Sequence, residues 1–117
     1  MNTTYAVYYA GRVDPEVYVV DWPKDPGYGR IKALVEPLIG GEPLEQVAVL
    51  HAGQRRDMFV SETGNVHLTT RDPLPINDAA TAIYRHNRLT QHPGTDPDTL
   101  PTIAGTAVLF TNRRVWF

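Results

Sequence analysis

Apolar β-branched and aromatic positions first concentrate at residues 3–10 (TTYAVYYA) and 16–22 (EVYVVDW). Gly11 to Pro15 separate the two stretches, so the pattern predicts a hairpin. PKDPGYG follows and reads as a loop, with two prolines and two glycines in seven residues. From Arg30 the period changes. Ile31, Leu34, Val35 and Leu38 fall at i, i+3, i+4 and i+7, one face of a short helix. Pro37 limits that helix, because proline has no N–H to donate and disfavours helical geometry at Glu36. Gly40-Gly41 can then take positive φ and stop it. Glycine-rich loops also cradle phosphates, but they do so ahead of a helix, where unpaired N–H groups point outward. Here the glycines follow the helix and precede a strand, so they are read as a turn.

Residues 45–51 (EQVAVLH) and 57–61 (DMFVS) predict a second hairpin around Ala52–Arg56. Glu62-Thr63-Gly64-Asn65 reads as a turn, followed by a short strand at 66–69. LPIND opens a second helix: Asn77 is a good N-cap, and Asp78 sits favourably against the helix dipole. Ala80, Ile83, Tyr84 and Asn87 continue one face, and the helix should end before Pro93-Gly94. Residues 90–101 carry three prolines and little apolar content, and loops of that length are usually functional or mobile. Residues 103–110 (IAGTAVLF) and 115–117 (VWF) predict a third hairpin around Thr111–Arg114. The resulting order, ββαβββαββ, is α+β with a mainly antiparallel sheet. At 117 residues the whole chain, 1–117, is expected to form a single domain.

Composition narrows the function classes. A hydrophobic share of 42% argues against disorder, and a net charge of −2 gives no general attraction to nucleic acid or anionic membrane. The absence of cysteine removes thiolate metal sites and cysteine nucleophiles. No apolar run approaches a membrane span, and the N-terminus lacks a signal-peptide pattern, so a soluble cytoplasmic protein is expected.

Several segments share an order and spacing with one family. They are Leu38-Ile39-Gly40-Gly41, Leu44-Glu45-Gln46-Val47-Ala48-Val49-Leu50, Glu62-Thr63-Gly64, Leu74-Pro75-Ile76-Asn77 and Gly105-Thr106-Ala107-Val108-Leu109. Together they resemble a small domain family of unknown function met mainly in phages, plasmids and other mobile elements. The likeness spans residues 31–110 and leaves 1–29 as an added N-terminal hairpin. The chain departs from the family at Ser61, where asparagine is common, and by an insertion at 65–73. No catalytic residues carry over. The resemblance implies an accessory gene of a mobile element, a setting in which many products modulate host defence by binding.

The residues themselves offer binding chemistry before catalysis. Nine arginines stand against two lysines, and acidic residues are absent from 79–95 and from 99–117. Arg85, Arg88 and His92 recur at i, i+3 and i+7 on the second helix, beside the 90–101 loop. The doublets Arg55-Arg56 and Arg113-Arg114 are expected at hairpin turns. If these groups converge, they form an Arg-lined site for a nucleotide-like anion or an acidic surface of a host protein. The alternative is an ordinary solvated helix face with charged loop tips. Tyr5, Tyr9, Trp116 and Phe117 are candidate interface residues for a homo-oligomer, against the default of core packing. No metal or cofactor is expected: His51, His67, His86 and His92 lack ligand spacing. Ser61 is the only serine and lies outside any nucleophile motif. A small enzyme acting on nucleotides, using Asp57, Glu62 or a histidine, is the alternative function. A DNA-associated accessory protein is the third. Against the enzyme stands the reading of Asp57 and Glu62 as solvated surface.

Overall fold

A computed structural model describes residues 1–40, 43–61 and 74–117. The chain runs β1 (Asn2–Tyr8), β2 (Glu16–Asp21), α1 (Gly27–Leu38), β3 (Leu44–His51), β4 (Gln54–Ser61), α2 (Asp78–Gln91) and β5 (Ala107–Phe110), with one 3₁₀ turn at Pro97–Thr99. All strands join one antiparallel sheet in the order β2-β1-β5-β4-β3. The fold is therefore α+β, as the periodicity predicts. Glu62 to Asn65, the strand expected at 66–69 and His67 lie outside the described residues, as does Gly41.

The two helices cover opposite faces of the sheet. Successive residues of a strand point to opposite sides, and β5 shows the consequence. Val108 and Phe110 pack with Val7, Phe59 and the α1 residues Ile31 and Val35. Ala107 and Leu109 pack with Val49, Met58 and the α2 residue Ala80. All four β5 residues are buried. A strand buried on both sides reads as a continuous apolar run, without alternation.

That placement corrects the expected third hairpin. β5 does not turn back on 115–117; it is the central strand, paired with β1 through Tyr5↔Phe110 and with β4 through Phe59↔Val108. Residues 115–117 form no strand. The second hairpin is also tighter than expected. Its loop is Ala52-Gly53, with φ of 50° and 76°, the two-residue turn whose twist matches the flanking strands. Arg55 and Arg56 consequently lie on β4, opposite Leu50 and Val49, and not at a loop tip.

The helix boundaries follow local chemistry. α1 begins at Gly27, three residues before the expected Arg30, and Pro37 is accommodated within its C-terminal end. Gly40 follows the C-cap with φ of +87°, so it ends the helix as its position implies. At α2, Asn77 caps as expected: its side chain accepts from the Ala80 N–H at 3.1 Å. The same side chain donates to the carbonyls of Tyr8 at 2.8 Å and Gly105 at 2.9 Å. Its own N–H donates to Ile103 at 2.8 Å.

Asn77 thus ties the start of α2 to the end of β1 and to the approach to β5, and it is fully buried. Replacing it with alanine removes a hydrogen bond from each of two part-buried carbonyls and the acceptor of one buried helix N–H. Asn77→Ala is expected to lower the unfolding free energy by about 3 kcal/mol, read from urea denaturation.

Candidate functional site

α2 lies beside the segment that leads into β5. The Thr81 hydroxyl donates to the Ile103 carbonyl at 3.3 Å and accepts from the Ile103 N–H at 2.9 Å. One turn on, Arg85 Nη2 donates to the Leu100 carbonyl at 3.3 Å. Between these contacts Leu100 and Ile103 are buried. The end of the 90–101 segment is therefore anchored on the helix. Its 3₁₀ turn is capped by Asp96, whose carboxylate accepts from the Asp98 N–H at 3.0 Å.

Arg85 and Arg88 are half-buried, where an exposed helix face was expected. The Nε atoms of both are buried and have no hydrogen-bond partner. Among the described residues neither guanidinium meets a carboxylate. Arg85 spends one donor on Leu100, and Arg88 makes no side-chain hydrogen bond among the described residues. Their remaining N–H groups reach solvent. Two cations three residues apart thus stand without neutralising charge among the described residues. His92 does not join them in the same way: it is the C-cap of α2, exposed, and its backbone N–H donates to the Arg88 carbonyl at 2.8 Å.

The other candidate arginines, Arg55, Arg56, Arg113 and Arg114, do not converge with this pair, and three of them bond within their own chain. Arg56 donates from Nε to the Thr111 carbonyl at 3.0 Å, while Arg55 is exposed. Arg113 donates to the Thr3 hydroxyl at 2.8 Å and to the carbonyls of Pro23 and Lys24, fastening the segment after β5 to the segment after β2. Arg114 pairs with Asp57, with Nη2 and Oδ1 at 3.0 Å. Neither Arg113 nor Arg114 occupies a hairpin turn.

Asp57 corrects the reading of that residue as solvated surface. It is fully buried and accepts at both oxygens: from Gln46 and Arg114 at Oδ1, and from the N–H groups of Val115 and Trp116 at Oδ2, at 2.8 and 3.1 Å. Burial pushes its pKa up. The bonds from Arg114, Val115, Trp116 and Gln46 outweigh that effect and hold the carboxyl below its ordinary value. A carboxylate this fully engaged is a structural anchor and has no free lone pair for catalysis. Sequence reasoning missed the role because the four donors lie eleven or more positions away.

The aromatic candidates divide. Tyr5 stacks on Tyr18 at 5.5 Å and leans on Phe110 at 5.8 Å. Tyr9 packs against the α1-side core. Trp116 meets Phe59 and Tyr28 edge-on, at 6.1 and 5.9 Å. Phe117 alone of the four stays largely exposed, at 70%. Between Tyr9, Leu38, Gly40, Ser61, Leu74 and Thr106 lies a cleft of about 370 Å³, which nothing in the sequence pattern signals. Among the described residues no three His, Asp or Glu side chains come together, and no helix is long and apolar enough to cross a membrane.

No family model, curated protein or solved structure matches the chain.

The Asp57 cluster has a pH signature. A lowered folded pKa gives stabilisation that is complete above the unfolded value of about 3.9 and is lost as pH falls from there through the folded value. Urea denaturation of the wild type should show stability dropping across that acid window. Asp57→Asn should be less stable by about 2–3 kcal/mol at neutral pH, with a flatter acid limb.

Proposed function

We propose that this chain is a non-enzymatic binding module and that Arg85 and Arg88 engage an anion of the nucleotide or phosphate type. The observation that supports the reading is the pair of half-buried guanidinium groups on α2 without a carboxylate partner among the described residues. Unpaired positive charge in a partly desolvated position is electrostatically costly, and an incoming anion relieves it. The planar guanidinium fork matches phosphate oxygens through paired, charge-assisted N–H donors. Anchoring of Arg85 on the Leu100 carbonyl holds one fork in place, so less side-chain freedom is lost on binding.

Catalysis finds less support, because Asp57 is consumed by its own contacts. The family resemblance supplies a setting for the binding reading: an accessory protein of a mobile element, acting in the cytoplasm of its host and modulating defence by holding a nucleotide-like signal. An acidic surface of a host protein would use the same two arginines and is the second outcome to look for.

The test is calorimetric titration with pyrophosphate, mononucleotides and cyclic nucleotides, alongside Arg85→Gln/Arg88→Gln. Charge-assisted bonds contribute roughly 1.5–3 kcal/mol each, so the double variant should bind at least about tenfold more weakly. Both residues are half-buried, so the variant should also lose about 1 kcal/mol of stability through altered packing. A protein partner would appear instead as wild-type-specific capture that competing pyrophosphate reverses. Equal binding by both proteins would rule the arginine pair out as the site.

A further inference from the structure

The two edges of the sheet are not equivalent. Because the β3–β4 loop is a two-residue turn, His51 and Gln54 form a hydrogen-bonded pair. Alternation then turns the backbone groups of Gln46, Ala48 and Leu50 outward, to the β3 edge. That edge is blocked. The Ala48 carbonyl accepts the side-chain amide of Asn87 from α2 at 3.0 Å, and Asn87 is only 5% exposed. A further strand could not dock there without displacing a buried side chain.

The β2 edge is open. The Trp22 N–H donates to the Met1 carbonyl at 3.1 Å, which fixes the alternation on that side. Val20, Tyr18 and Glu16 bond inward to Thr3, Tyr5 and Val7. Val17, Val19 and Asp21 therefore present their N–H and C=O groups outward, and none of these groups has a partner among the described residues. Val17 and Val19 are each 61% exposed and Tyr18 is 42% exposed. Its central part lacks the usual protections of an edge strand: β2 contains no lysine, no proline and no bulge in its register with β1, and its only charges, Glu16 and Asp21, stand at its ends.

We propose that β2 is a homodimer interface, in which two copies pair their β2 strands antiparallel about a two-fold axis at Tyr18. This register sets Val17 opposite Val19 of the partner subunit, so their outward N–H and C=O groups bond to each other. Four valines meet on one face of the joined sheet and two tyrosines on the other. The strand fits itself in charge as well. The register that would oppose Glu16 to Asp21 sets an inward-bonded residue against an outward one, so the alternation forbids it. Glu16 is already held by Arg12 at 3.1 Å and by the Tyr18 hydroxyl. Centring the axis on Val19 instead would lay the Asp21 carboxylate against Val17 of the partner subunit. With the β3 edge blocked, pairing through β2 closes at two copies and does not propagate into a filament. The interface stands apart from α2, so it is independent of the anion reading.

The chain has no cysteine, so single introduced cysteines report the geometry directly. Facing positions in a non-hydrogen-bonded antiparallel pair have Cα atoms about 4.5 Å apart, within disulfide range. Tyr18→Cys should therefore form a disulfide-linked dimer under mild oxidation, while Glu45→Cys on the blocked edge stays monomeric. Sedimentation equilibrium of the wild type should give twice the 13.1 kDa protomer mass. Val17→Lys/Val19→Lys should weaken association by on the order of tenfold or more with unchanged circular dichroism. If Tyr18→Cys misfolds, the wild-type sedimentation and the lysine variant decide. A wild-type monomer at high micromolar concentration, or equal cross-linking of the two cysteine variants, overturns the proposal. The monomer result would leave the edge to a strand from a different protein.

Discussion

A single buried carboxylate fixes how the chain after β5 is held. Asp57 sits on β4 with no exposure, facing the α1 side, and its oxygens receive donors from Gln46 on β3 and from Arg114, Val115 and Trp116. Burying an ion is unfavourable unless its partners are complete. Here they are complete only when residues 114–116 lie against Asp57 on β4. That contact places Val115 in the core and Trp116 over Phe59, so polar geometry dictates the apolar packing around it. Arg113 extends the arrangement to the segment after β2, and the end of the chain is thereby coupled to its beginning.

Asn77 performs a parallel task on the other face. Both residues are short polar groups at the rim of an apolar layer, and each side chain makes three or more hydrogen bonds. Asn77 joins the start of α2 to β1 and to the Gly105 approach, while Asp57 secures the exit from β5. The central strand is thus held at its entry and its exit by side chains from elsewhere in the chain. Apolar burial makes the layers adhere, and these two residues set where the layers lie.

Much of this fold is legible in the sequence, and the illegible parts share a cause. The helix periods, the Asn77 cap, the Gly40 stop and the first two hairpins depend on neighbours within a few positions, and local pattern reveals them. The place of β5 does not. AVLF carries no alternation, and nothing local distinguishes a central strand from half of a hairpin. The sequence pattern places Arg55 and Arg56 in a loop because a two-residue turn through Ala52, a non-glycine at positive φ, has little local signal. For the site, the spacing of Arg85 and Arg88 on one helix could be read directly. Their partial burial could not, because it depends on Leu100 returning along α2. Asp57 resembles any strand-end carboxylate until residues 114–116 arrive.

The position of β5 bears on how the protein comes into being. β1 and β4 are not neighbours; β5, which follows both in the chain, lies between them. While a ribosome is still translating the region around Ala107, the nascent chain has two apolar hairpins with nothing to join them. The inner edges of β1 and β4 are then exposed to any passing strand. Folding must wait for a long-range insertion, the slow kind of step in which chain-closure entropy is lost before contacts repay it. The same gap would make a separated β5 peptide a natural complement to the remainder of the chain.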